Sequence, residues 1–178
     1  MNIFWLSVVL AANAAAHCDQ HVVKMPLEAV QLLYTAWAVL EPDEETWRCR
    51  APLNKAGTAH GYRKTHVRHP LARWVRRSTT NYQMCADYAL AVCAEYSKRY
   101  GGKQLHAEHH ARWLRDNVPP SLKQRPMTPI PLCTGDGGKA DTLEKAVAVY
   151  RRGYRRDKAK FARYRYSAAP SWMVDALD

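Results

Sequence analysis

Residues 17–31 read HCDQHVVKMPLEAVQ, and the polar side chains in this stretch recur at alternating steps of four and three. His17, His21, Lys24, Glu28 and Gln31 keep the rhythm, and Thr35 extends it. On an α-helix, at ~100° per residue, these side chains share a sector roughly 80° wide. The positions between them are apolar: Val22, Val23, Met25, Leu27, Val30, Leu32 and Leu33. A solvated helix face is normally broad and mixed. A narrow stripe of two imidazoles, an amine, a carboxylate and an amide must instead pair internally or serve chemistry. The stripe therefore reads as a candidate active site, with a structural polar network as the alternative.

Working outward, Asn2–Leu6 is short, apolar and aromatic, which predicts a strand. Ser7 can cap a helix beginning at Val8. Pro26 removes an amide and crowds the Val22 carbonyl, so either one kinked helix runs from about 8 to 38 or two helices meet near Met25. Residues 41–65 read as a loop. His69-Pro70 opens a helix that continues to Tyr100, where Gly101-Gly102 ends it. Another helix spans about 104–117. Residues 119–138 hold five prolines and three glycines, an extended loop or lid. Asp141 and Glu144 form a capping box for a basic helix over 141–164. The expected fold is mainly α, a compact single-domain helical bundle over 1–178 with at most a short β element near the N-terminus.

Charge points to the partner. The chain of 178 residues carries a formal net charge of +11, which favours a polyanion, nucleic acid first and an anionic membrane second. Residues 1–62 hold four Lys/Arg against six Asp/Glu, residues 63–77 six against none, and residues 139–166 ten against three. Two basic segments thus flank a nearly neutral half that holds the stripe. Five cysteines without a C-x-x-C pair suit a reducing compartment. The N-terminal apolar run lacks basic residues and is too short for a membrane span, so neither a signal peptide nor a membrane partner is expected.

Three constellations could carry chemistry. In the stripe, His17 and His21 stand at i, i+4, but H-E-x-x-H needs Glu where Cys18 stands, so no metal is expected. Acid–base work is the alternative: a His beside a carboxylate, and a Lys whose apolar flanks ease loss of its proton. Asp19, just off the stripe, either orients an imidazole or caps the helix. The second constellation is THVRHPLARWVRRSTTNY, residues 65–82. Lys64, His66, His69, Arg73 and Arg77 supply cations for phosphates. Trp74, Ser78, Asn81 and Tyr82 could stack and read an extruded base, or could be a core Trp and a turn-capping Asn. The third interleaves Tyr150 and Tyr154 with Arg155 and Lys158, suited to holding a phosphate backbone.

The strings NIFWL, HCDQHVVKMPLEAVQLL and THVRHPLARWVRRSTTNYQ resemble a family of small phage and giant-virus proteins. Its pattern is N-I-F, H-C-D-K-H-V-V-K-M-x-L-E-x-x-Q-x-L and H-P-x-x-x-W-x-x-x-S-x-x-N-Y. TPIPL, Tyr150 and Tyr154 with Lys158, and APSW are similar too, so the likeness spans nearly the whole chain, with Gln20 where Lys is common. The family is connected to the phage amino acid:DNA transferases of thymidine hypermodification, the α-glutamyl/putrescinyl-thymine pyrophosphorylases. A more distant resemblance is to phage pyrimidine-dimer glycosylases. The resemblance implies an enzyme of the infected host's cytoplasm with no cofactor. Its substrates would be a free amino acid and DNA bearing 5-(phospho- or pyrophospho-oxymethyl)uracil. Lys24 and Arg73 would neutralise the leaving group, His21 or Glu28 would deprotonate the amine, and Cys18 or Asp19 could add at C6. The alternatives are a glycosylase/lyase that uses Lys24 as a neutral amine, or a DNA-binding protein without catalysis.

Overall fold

Helix α2, Asp19–Leu40, is the element around which the others pack. Its Leu, Ala, Val and Tyr positions turn inward on several sides, burying Val22, Met25, Ala29, Val30, Leu32, Leu33, Tyr34 and Ala36. In the computed structural model, which describes residues 1–135 and 137–174, α2 lies along α5 (Thr79–Arg99), with α4 (Pro70–Val75) and α6 (His106–Asp116) also against it. Short α1 (Leu10–Ala15) leans on α5, and α3 (Glu45–Arg48), α7 (Leu143–Lys158) and α8 (Ser171–Val174) complete the helices of the described residues. One hydrophobic core runs through them, from Ile3 to Met173. The fold is mainly helical, as expected.

The β element is elsewhere than expected. Ile3–Leu6 is buried, and residues 2–6 pair with no strand among the described residues. The sheet instead joins β1 (Ile130–Pro131) to β2 (Lys139–Ala140), antiparallel, with Ile130 opposite Ala140 and Pro131 opposite Lys139.

Helix boundaries also shift, each for a local reason. The break in the first helical region falls at Ala16–Cys18 rather than near Met25, and Pro26 sits inside a continuous α2. Ser7 is not the cap of α1; that position is Val9, whose amide the Ser7 hydroxyl accepts at 3.2 Å. The helix expected over 70–100 is two, because Arg76–Ser78 turns and the Ser78 hydroxyl caps α5 by accepting from the Asn81 amide at 3.1 Å. Gly101 and Gly102, at φ +64° and +80°, end α5 as expected. Thr142 rather than Asp141 caps α7, and the helix stops at Lys158, short of 164. The 41–65 loop contains α3 and a bridge between Leu53 and His60.

The first half of the 119–138 segment is pinned. The Thr80 hydroxyl donates to the Arg125 carbonyl at 2.8 Å, and the Thr79 amide to the Lys123 carbonyl at 3.1 Å. Asn81 grips Thr128 from both sides, its Nδ2 donating to the hydroxyl at 2.7 Å and its Oδ1 accepting the amide at 3.0 Å. Its Nδ2 also reaches the Trp74 carbonyl at 2.8 Å. Truncating Asn81 leaves these groups unpaired inside the protein. Asn81→Ala is therefore expected to lose about 2–3 kcal/mol in urea unfolding; a loss below about 0.5 kcal/mol would contradict this role.

Candidate functional site

The stripe of α2 does not form one catalytic row; most of its members anchor other elements. His17 is fully buried in the turn before α2. Its Nδ1 donates to the Asn13 carbonyl at 2.7 Å and its Nε2 accepts from the Tyr88 hydroxyl at 2.9 Å. Burial lowers its pKa to about 4. His21 is buried on the next turn, stacked on Phe4 with ring centroids 4.8 Å apart. The Cys18 amide donates to the Tyr154 hydroxyl at 3.0 Å, which in turn donates to His21 Nδ1 at 2.7 Å. Burial, followed by the charges of His17, Lys158 and Lys24, lowers the His21 pKa to about 3. With both ring nitrogens committed inside the core, His17 is structural rather than catalytic, which corrects that expectation. His21 is held by Tyr154, and burial disfavours its charged form.

Asp19 is likewise structural. Its Oδ1 meets Arg99 Nη1 at 3.0 Å and its Oδ2 accepts the Arg165 amide at 2.8 Å, so both oxygens are engaged. Arg99 is held on its other side by Glu95 at 2.6 Å. Cys18 is fully buried and so is not placed to add to a base, and Asp19, though it lines a shallow cleft, has both oxygens engaged.

Lys24 and Glu28 remain. Glu28 Oε1 lies 3.1 Å from Lys24 Nζ, and its Oε2 accepts the Asn2 amide at 2.8 Å, with the Met1 α-amine 3.9 Å away. Lys24 is 68 % exposed rather than enclosed by apolar neighbours, whereas Glu28 is 13 % exposed. Asn2 ties this group to the chain around β1 and to α7. Its Nδ2 donates to the Cys133 carbonyl at 2.9 Å, and its Oδ1 lies 3.3 Å from the Tyr150 hydroxyl oxygen. His69 faces the same cluster. Its Nδ1 accepts the Leu71 amide at 3.2 Å, which leaves the proton of the neutral ring on Nε2. Desolvation, then the α-amine and His66, lower its pKa against the opposing pull of Glu28.

Beside this cluster lies a cleft of about 480 Å³ lined by Arg68, Arg73, Arg77 and Lys139, with Pro70, Trp74, Pro129 and Pro131 in its walls. His69 sits in sequence between two of its wall residues, and Pro131 carries the carbonyl to which Tyr150 donates at 3.0 Å. On the other side of His66, Gln31 and Lys64 line an open groove of about 1120 Å³. Thr35 holds the edge of that groove, donating to the Thr65 carbonyl at 3.0 Å and accepting its amide at 3.1 Å. His66 is exposed, at φ +50°, with Nδ1 2.6 Å from the Thr65 hydroxyl.

The base-reading and two of the phosphate-binding expectations are corrected. Ser78, Asn81 and Tyr82 are fully buried, and Trp74 is 2 % exposed with its indole donating to the Thr128 carbonyl at 3.0 Å. Tyr82 accepts from the Trp37 indole at 3.0 Å and donates to the Leu114 carbonyl at 3.1 Å. Trp74 and Asn81 are thus the core Trp and turn-capping Asn of the alternative given above, and Ser78 and Tyr82 are buried with them. Tyr150 and Tyr154 are buried hydrogen-bond anchors with no face for a phosphate. Arg155 is exposed and Lys158 partly so, its Nζ 5.9 Å from the Phe4 ring. Sequence reasoning missed Asn2, Arg68 and Lys139. NIFWL signalled only an apolar strand, and Lys139 belongs to a segment remote in sequence from the arginines it joins.

Compared with protein-family models, curated proteins and solved structures, the chain matches none. No helix among the described residues is long and apolar enough to cross a membrane, and none of their His, Cys, Asp and Glu side chains form a group of three suited to a metal.

The buried imidazoles carry a pH consequence. Between pH 6.5, the ordinary value, and about pH 4, the folded protein binds fewer protons than the unfolded chain at His17. Stability from this group is complete above 6.5 and is lost as pH falls toward 4. Melting temperature should decline across that window in the wild type and less steeply in His17→Gln. Equal slopes would show that His17 does not set the dependence.

Proposed function

We propose that the chain is a DNA-modifying transferase that replaces the (pyro)phosphate of 5-(phospho- or pyrophospho-oxymethyl)uracil in phage DNA with an amino acid amine. The observation that carries the reading is the juxtaposition of Glu28, half-enclosed and gripping amines, with a cleft of cations. Both halves of such a reaction need those groups. The incoming amine attacks the exocyclic methylene carbon only as a neutral species, and a carboxylate such as Glu28 can take its ammonium proton. The carbon–oxygen bond breaks with its electron pair leaving on the (pyro)phosphate, whose charge Arg73 and Lys24 stabilise. With Cys18 buried and both Asp19 oxygens engaged, the reading favours direct displacement over addition by either at C6. The net charge of +11 supports DNA as the partner, and binding should weaken steeply with salt. The target base must leave the stack, and that step is assigned to no aromatic residue of this chain.

A second reading follows from the same carboxylate. Two amines lie at Glu28, Lys24 Nζ at 3.1 Å and the Met1 α-amine at 3.9 Å. A glycosylase/lyase would use such an amine on C1′ and form a Schiff base.

Nucleoside mass spectrometry separates the two. Protein incubated with activated hydroxymethyluracil DNA and an amino acid mixture should yield a mass-shifted nucleoside. Glu28→Gln should slow its formation about 10²–10⁴-fold. No mass-shifted nucleoside, together with a borohydride-trapped DNA adduct lost in Lys24→Ala, would replace the transferase by the lyase.

A further inference from the structure

The cleft beside α4 differs from most of the charged surface in how its cations are arranged. They come from three stretches of chain: Arg68 before α4, Arg73 and Arg77 on α4 and just after it, and Lys139 on β2. All four line one cavity of about 480 Å³, yet none has a carboxylate partner among the described residues. Some cations outside the cleft do pair. Arg48 meets Glu44, Arg99 meets Asp19 and Glu95, Arg112 meets Glu108, and Arg115 meets Asp87.

Four like charges around one concavity repel one another, and walls built from proline and tryptophan weaken the solvent screening between them. A multiply charged anion relieves that repulsion, and a single carboxylate would leave most of it. Guanidinium forks match the oxygens of phosphate two at a time, with Lys139 as a point charge beside them. Gly138 contributes to the wall at φ +89°, so bare backbone rather than a side chain meets the ligand there.

We infer that this cleft is a phosphate site that takes two linked phosphate groups at once. Those groups are either a pyrophosphate or two neighbouring phosphodiesters of a DNA strand. The inference deepens the transferase reading by naming where its leaving group would sit. It does not require that reading, because binding is measured without turnover.

The test is calorimetric titration of the full chain with inorganic pyrophosphate and, separately, with a short unmodified duplex. Arg73→Ala/Arg77→Ala is compared with Lys55→Ala/Lys103→Ala, which removes the same two charges from exposed positions outside the cleft. The cleft variant should bind pyrophosphate, duplex or both about tenfold or more weakly, and the control less than about twofold. Loss confined to pyrophosphate assigns the cleft to a free or leaving diphosphate. Loss of duplex affinity assigns it to the backbone. Unchanged binding of both ligands in the cleft variant, equal losses in the two variants, or no binding of either ligand to the wild type would overturn the inference.

Discussion

A polar group buried beside α2 must find a partner, and satisfying that requirement fixes where the other elements go. His17 is matched by the carbonyl of Asn13 and the hydroxyl of Tyr88, which joins the end of α1 to α5. His21 is matched by Tyr154, which brings α7 against the start of α2. Asp19 draws in Arg99 of α5 and the amide of Arg165, Thr35 draws in Thr65, and Glu28 draws in the amide of Asn2. These groups thus tie α2 and the turn before it to α5, α7, the 163–166 stretch, the 60s loop and the N-terminal segment. An apolar residue at any of these positions would keep the helix but lose the instruction.

The same bookkeeping separates chemistry from scaffold. Once an imidazole is enclosed and its ring nitrogens are committed, it loses the proton affinity a base needs near neutral pH. Glu28 escapes this fate because it stands where α2 reaches the surface, with Lys24 open to solvent on one side and the extended N-terminal segment on the other. Asn2 then links this carboxylate, through Tyr150 and Cys133, to the region of β1 that walls the cationic cleft. Buried anchors thus join the Glu28 edge to the cationic cleft.

How much of this was legible in the sequence follows from the range of the forces involved. The helical period of α2, the glycine pair that ends α5 and the basic amphipathic α7 are local signals, and they read correctly. From His21 onward the polar sector keeps its register along α2, whereas the break before Asp19 takes His17 off that helix. Spacing places His21 and Glu28 on one side of the helix, but only packing shows that His21 meets an enclosed hydroxyl. The break at Ala16–Cys18 leaves no mark such as Gly or Pro, because it depends on Asp19 meeting Arg99, 80 residues onward. Trp74, Asn81 and Tyr82 have residue types suited to bases, and the same types suit a pinned loop. Arg68, Arg73, Arg77 and Lys139 become one site only when β2 folds back, which no local pattern encodes.

The account's central claim is that DNA lies across the face where Glu28, Asn2 and His69 adjoin the Arg68–Arg77 cleft. Photocrosslinking to a duplex carrying 5-iododeoxyuridine, followed by mass spectrometry of the adducted peptides, tests it most directly, since the reactive atom occupies the position where the modified group would stand. The account predicts adducts within residues 1–6, 24–31 and 66–77. Adducts confined to α6 or to the outer side of α5 would contradict it.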